Sequence, residues 1–477
     1  MKRVITSLLC SIALLVSLHC IAPALTISAP GTYTVGWNVP YAPVAGEPII
    51  LIESSNVLLD LEGYTLDQIN SETGVAGISI GNGFSNIVIK NGRIRNVTDC
   101  GLVITPTATF SEKISIENIF FENCGSEGIA IIPSGGFTTQ NLSIEGCTFL
   151  DCARSSTSTA MLRISGSAPT VHDIKIFQRP TATPFPGSRT ALYIENIRNG
   201  IFSDIRISGI RTAEDIIGID TAGASGVEAS LFEGIVISDL YTTSGNTTGI
   251  SASACKNSAF NNCFITSSTG LINTGIILAN QPQSNLFIGC LTEDLYGTTT
   301  ARGFSIAGTQ NAVFVDCVAN RIGTSGASGT TDGFFLSTAI RCHALRCLAT
   351  NGIAVGTNSQ TAGFRIAGAS TCSLSECLAV ANNGIALGTG YVLTSSCIEC
   401  SLMDCKAYSN GNTATIGSGF EVEVSGTGTN VFLRNAALRN GPTAGNQFRN
   451  FLATQRTTLA RTGTNSTAQP WTNVAVT

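Results

Sequence analysis

Apolar positions recur along this chain in short alternating runs, and each run opens on glycine or alanine. The phrase is Gly or Ala, an apolar residue, any residue, then a second apolar residue. In the C-terminal half it reads Gly303-Phe304-Ser305-Ile306, Gly333-Phe334-Phe335-Leu336, Gly363-Phe364-Arg365-Ile366, Gly390-Tyr391-Val392-Leu393 and Gly419-Phe420-Glu421-Val422. Earlier copies start at Gly77, Gly101, Gly128, Ala160, Ala191, Gly218, Gly249 and Gly275. The intervals are 24, 27, 32, 31, 27, 31, 26, 28, 30, 30, 27 and 29 residues. A fixed period of this size marks a solenoid, in which each repeat buries its apolar face only against its neighbours.

Within one repeat the period is two, the spacing of a β-strand. In the coil from Gly333, Phe334 and Leu336 alternate with Phe335 and Ser337; Leu345, Cys347 and Ala349 alternate with Arg346 and Leu348; Ile353 and Val355 alternate with Ala354 and Gly356. Corners of Gly, Ser, Thr and Asn separate the runs. This predicts three strands per turn of a parallel β-helix with rungs about 4.8 Å apart. Some fourteen coils, counting one at 49–67, make a stack about 65 Å long.

The cysteines carry the same register. Cys263, Cys317, Cys347 and Cys377 lie 14 residues after their coil's glycine, and Cys290 and Cys405 lie 15 after theirs. A second column, Cys342, Cys372 and Cys400, precedes the first by five residues. Three readings stand, with core packing foremost. Free Cys behaves as a small buried hydrophobe. Disulfides are open to an exported protein, yet Cys342 and Cys347 are too far apart along one strand. Zinc needs four convergent ligands, which inward columns and His343 do not supply.

Composition narrows the class. Of 477 residues 12% are charged and 7% aromatic, with 50 Gly. An ordinary globular chain carries about 25% charge. The net charge of −5 argues against a nucleic-acid partner. Lys2 and Arg3, the apolar run from Leu8 to Leu18, and Ala22-Pro23-Ala24 read as a secretory leader cleaved after Ala24. After it no apolar run reaches the ~18 residues of a membrane helix. The expected layout is a leader over 1–24, an N-terminal cap over 25–48, a parallel β-helix over 49–450 and a capping tail over 451–477 with Phe451 and Trp471.

Asn56-Val57-Leu58-Leu59-Asp60-Leu61-Glu62-Gly63-Tyr64-Thr65-Leu66 resembles the opening coil of right-handed parallel β-helix proteins. Gly77-Ile78-Ser79-Ile80 followed by Asn86-Ile87-Val88-Ile89-Lys90-Asn91-Gly92-Arg93-Ile94 does so too. The resemblance is to the pectin-lyase-like superfamily, and it implies an all-β, single-stranded right-handed parallel β-helix. That superfamily hosts lyases, galacturonases, uronate epimerases, tailspikes and adhesins, so the fold leaves the activity open. Phe120-Phe121-Glu122-Asn123 matches one repeat of the chlamydial polymorphic outer-membrane proteins, while their Gly-Gly-Ala repeat is absent.

The galacturonase motifs Asn-Thr-Asp, Asp-Asp, His-Gly and Arg-Ile-Lys do not occur. The outward column before the cysteines, Asp316, Arg346, Glu376 and Asp404, is the nearest analogue of a lyase groove. Its plainer reading is a ladder of surface charge, with Arg346 bridging acids. His172-Asp173 with Lys175, Arg179 and Arg189 lies beside an insertion holding Pro180, Pro184 and Pro186. Strand neighbours face opposite ways, so His172 and Asp173 are not expected to pair. Glu214, Asp215 and Asp220 share a coil. Long polar corners at 322–332, 356–362, 388–390 and 410–418 fall on one edge, where repeat proteins often bind. The triplets at Asn96, Asn141, Asn246 and Asn465 are what a Ser/Thr-rich chain carries by chance. These readings assign no catalytic, cofactor-binding or metal residue. They point to an exported surface or secreted protein that binds a glycan or protein without catalysis. The alternative is a polysaccharide lyase, hydrolase or epimerase.

Overall fold

The computed structural model describes residues 2–4, 24–105, 111–132, 139–155, 160–180, 184–279, 283–394, 396–411, 416–422, 430–440, 448–449 and 474–476. Every named element among them is a β-strand, and every pairing between strands whose register is given is parallel. The expected all-β parallel solenoid is therefore what forms, with about 13 turns. The chain divides into two compact units, Met1–Ala213 with Ile219–Leu231, and Glu214–Gly218 with Phe232–Thr477.

The second unit shows the repeat at its most regular. One coil comprises Thr330–Ser337, His343–Leu345, Leu348–Thr350 and Ile353–Ala354. Four short strands thus replace the expected three. The reason is a left-handed corner every fifth residue: Arg341, Arg346 and Asn351 have φ of 53°, 50° and 55°. This conformation costs an L-residue about 1–2 kcal/mol. The register offsets that cost, because each corner N–H bonds the next rung, as Arg346 N to Ser375 O at 3.0 Å. The corner at Arg346 also resets the alternation. Ala344 and Cys347 point inward while Leu345 is half-buried. Beyond the next corner Ala354 is buried, and Ile353 and Val355 are 46% and 55% exposed.

Equivalent side chains stack between rungs. Phe304, Phe334, Phe364, Tyr391 and Phe420 form one ladder with ring centroids 4.5–5.0 Å apart. Phe232, Phe260, Phe287 and Phe314 form another at 4.5–4.8 Å. Each such burial contributes about 1.5–3 kcal/mol, and each stacked contact about 0.5–1.5 more. Leu348 N bonds Cys317 O and Leu378 N bonds Cys347 O, both at 2.9 Å, so the sulfur column stacks as expected.

The corner cysteines do more than fill space. Cys347 Sγ lies 3.6 Å from Phe314 O on the rung below. At the end of that column Asn435 takes the same place: its Nδ2 donates to Leu402 O at 2.9 Å, and its Oδ1 accepts Cys405 N–H at 2.9 Å. Cys and Asn share the position because both are small and both satisfy a corner carbonyl. All 15 described cysteines are buried, and none of them is in a disulfide. Burial pushes the Cys147 thiol up to about 12.

The first unit has a largely aliphatic core. Ile89, Ile116, Ile144, Val171 and Phe202 follow one another in register and are buried. Ser85–Arg95, Ser111–Glu122, Thr170–Phe177 and Ile201–Ser208 each run straight through a left-handed residue, at Asn91, Asn118, Asp173 and Asp204. The segment expected as a cap supplies Leu25–Ile27, Gly31–Thr34 and Val39–Tyr41, paired with Ile50–Ile52, Val57–Asp60 and Thr65–Gln68. In the second unit Phe448–Arg449 pairs with Phe420–Glu421, and Val474–Val476 with Ala436–Leu438. Most of the leader, and Phe451 and Trp471 of the expected tail, lie outside the described residues.

Candidate functional site

An outward row follows the left-handed corners of the first unit at Asn91, Asn118 and Asp173. Beyond the corner, Thr65, Arg93, Phe120, Thr148, Lys175 and Arg206 lie in register on successive rungs. Here the surface holds an open depression of 530 Å³ lined by Asn38, Gly63, Thr65, Asn91, Gly92, Arg93, Asn118 and Phe120. Gly92 is required, because a Cβ there would lie 2.3 Å from Leu61 Cβ.

Each polar wall is held. Asn38 Oδ1 accepts the Thr65 N–H at 3.0 Å, and Asn91 Nδ2 donates to Asp60 Oδ1 at 3.2 Å. The Arg93 guanidinium lies over the Phe120 ring, 4.7 Å from its centroid. Its Nη1 is 3.9 Å from Glu122 Oε2. Glu122 also pairs with Arg179, whose Nε is 3.2 Å from Asp151 Oδ2. The insertion therefore reaches the depression through Arg179 and Glu122. Arg189, the other flagged arginine there, is 2% exposed and donates to Ala153 O and Ser155 O at 3.0 and 2.8 Å, so it anchors the segment.

A second group on this unit surrounds a thiol. Cys100 Sγ lies 3.5 Å from Glu127 Oε2 and 3.6 Å from Asp99 Oδ1. Burial, with Asp99 adding to it, holds the Glu127 carboxyl above its ordinary range, and burial also pushes the Cys100 thiol up. Nearby Arg163 opposes the Glu127 shift and pairs with Glu195 at 2.6 Å. Sequence reasoning missed both groups. An acid stands at one or two residues before the opening glycine in two successive coils, Asp99 before Gly101 and Glu127 before Gly128, which is a readable signal.

The sequence-flagged residues fall elsewhere. Asp316, Arg346, Glu376 and Asp404 are themselves left-handed corners. Arg346 forks onto Asp316 at 2.8 and 2.9 Å, and Arg434 onto Asp404. Those guanidiniums hold Asp316 and Asp404 below the usual carboxylate range. Glu376 adds to the negative field at Arg346. The column is a charge ladder in which two of three acids are neutralised.

His172 does not pair with Asp173. Its Nδ1 lies 3.0 Å from Ser203 Oγ and 3.3 Å from Asp204 Oδ2 on the next rung, while Asp173 lies 3.8 Å from Lys175. His343 Nδ1 lies 2.6 Å from Ser373 Oγ. Asp215 Oδ1 accepts the Asn246 N–H at 2.7 Å; it belongs with Glu214 to the second unit, and Asp220 to the first. The long corners pair rung to rung, as Asn358 N to Ala327 O at 2.8 Å. Residues 412–415 of the last corner lie outside the described residues. Among the described residues no group of three or more His, Cys, Asp or Glu is placed to hold a metal ion, and no helix is long and apolar enough to cross a membrane.

No family model matches the chain, and no curated protein matches it. Solved structures do. A tailspike protein double mutant of E. coli bacteriophage HK620 aligns at 14% identity and TM-score 0.43, over 84% of this chain and 71% of that one. The A-module of the Azotobacter vinelandii mannuronan C-5 epimerase AlgE6 aligns at 10% identity and 0.37, over 86% and 88%. A double mutant of the periplasmic alginate epimerase AlgG aligns at 12% and 0.38, over 76% of each chain.

Proposed function

We propose that this is an exported, non-catalytic β-helix protein that binds a glycan on the outward face of its first unit. The depression around Arg93 and Phe120 carries the reading. A sugar presents hydroxyls that both donate and accept, and side-chain amides such as Asn38, Asn91 and Asn118 offer both functions. The guanidinium laid over Phe120 makes a flat, partly apolar wall against which a sugar ring stacks. The volume falls within the ~300–1,000 Å³ of small-molecule sites. Export through the leader over 1–24 places the protein where extracellular glycans are met. A protein ligand would find fewer anchors, since Phe120 is the one aromatic lining residue. The test is a glycan array probed with the full chain, then with Arg93→Ala and Asn118→Ala. Retention of a glycan by the parent, with at least tenfold weaker retention by both variants, is expected. No retention, or equal retention by the variants, overturns the reading.

A second reading, a polysaccharide-active enzyme, draws on Glu127. Burial holds the Glu127 carboxyl above its ordinary range, and Asp99 lies close by, which is the direction a general acid needs. In hydrolysis Glu127 would protonate the departing glycosidic oxygen while Asp99 took a proton from the attacking water. Release of reducing ends from any polymer, abolished by Glu127→Gln, would replace the non-catalytic reading with this one.

A further inference from the structure

The second unit holds an arginine whose charge is under-compensated. Arg302 and Asp332 are in register on adjacent rungs, and Arg365 sits one rung further, in register with Phe335. Asp332 is fully buried. Its Oδ1 accepts Arg365 Nε at 2.8 Å. Its Oδ2 lies 3.6 Å from Arg302 Nε, and neither of those two buried atoms makes a hydrogen bond. The Arg302 guanidinium is stacked on Phe335, 3.8 Å from the ring centroid, and keeps 27% of its side chain exposed. One carboxylate thus serves two guanidiniums, and its bond goes to Arg365. Arg302 is left with a desolvated charge, a like-charged neighbour and a solvent-facing rim.

We propose that Arg302, held flat on Phe335, is a binding site for a carboxylate. A guanidinium presents five N–H donors in a planar fork that matches the two oxygens of a carboxylate. Poor solvation strengthens such a pair, and the ring fixes the plane of the fork, so little freedom is lost on binding. Burial, the largest influence on Arg302, lowers its pKa despite Asp332, which agrees with a cation lacking its full complement of negative charge. The carboxylate comes from an acidic sugar or from an acidic amino acid, and the site stands independently of the depression on the first unit.

The experiment titrates the full chain with sodium galacturonate and, separately, with sodium N-acetylglutamate, against sodium chloride at equal ionic strength. Binding is read by calorimetry and by the shift in Tm. Saturable binding of at least one carboxylate, absent with chloride, is expected, and the stronger arm identifies the source. Arg302→Gln should abolish it. Arg302→Lys keeps the charge and stem but not the fork, and should weaken it at least tenfold. Absence of saturable binding, an equal response to chloride, or undiminished binding by a folded Arg302→Lys variant overturns the proposal.

Discussion

The two units solve the same problem with different materials. In the second, the four successive repeat lengths between Gly303 and Gly419 differ by at most three residues, and rings, sulfurs and amides stand on their own kind. In the first, intervals run from 24 to 32 residues and the core is mostly Ile. A ladder of identical side chains tolerates little variation in coil length, since each ring must meet the next. An aliphatic core is less demanding. The depression, the ion-pair chain through Glu122 and Arg179, and the Asp99–Glu127 pair all lie on the irregular unit. The second unit carries the Arg302, Asp332 and Arg365 cluster, so outward charge is found on both units.

The largest effect should come from breaking a ladder. Phe334→Ala removes a ring stacked between Phe364 and Phe304, and should lower stability by about 3–5 kcal/mol in a denaturant titration. In the first unit Ile116→Val should cost only about 0.5–1.5 kcal/mol. Similar losses from the two would remove the distinction.

Next comes the buried amide column. Asn410 Oδ1 accepts from Asn382 Nδ2 at 2.8 Å, and its Nδ2 donates to Ala379 O at 3.0 Å. Asn410→Ala strands those partners and should cost about 1–3 kcal/mol. Cys405→Asn should cost less than about 1.5 kcal/mol, because Asn435 already fills the equivalent corner on the next rung. A larger loss for the second variant would refute the equivalence of Cys and Asn.

The smallest effects are pH-dependent and opposite in sign. Glu127 in the first unit has a raised folded pKa. Its contribution is complete below the unfolded value of about 4.3 and is lost as pH rises through the folded value. Glu127→Gln should therefore raise the melting temperature at neutral pH and do little in acid. Asp404 in the second unit is depressed by Arg434. Its contribution is present above about 3.9 and is lost as pH falls through the folded value. Exposed as this pair is, Asp404→Asn should cost no more than about 1 kcal/mol at neutral pH and nothing in strong acid. Melting curves of both variants across pH 2–8 decide it, and slopes of the same sign would contradict the assignment.

How legible the molecule was depended on the kind of residue. The Gly-Phe-x-Ile phrase and the sulfur columns were readable because the same residue returns at the same offset, and stacking requires that. The left-handed corners were not. Arg346 and Glu376 are not residues that favour positive φ, so the alternation was carried straight through them and placed Leu345 on the wrong side. For the site, Arg179 was flagged, but its partner Glu122 stands 57 residues away. Arg93 and Phe120 stand in stretches that carry only the fold resemblance, and they lie in separate coils, so nothing in the sequence brings them together.

By itself the sequence determined the period, the strand content and the identity of the stacked rows, since these follow from local alternation and from repetition at a fixed interval. Tertiary structure alone decided which outward side chains meet. His172 joins Asp204 instead of its neighbour Asp173, Arg93 lies on Phe120, and Arg302 shares Asp332 with Arg365. Those contacts run between rungs, and rung register is fixed by every corner and insertion between them, so no short stretch of sequence contains them.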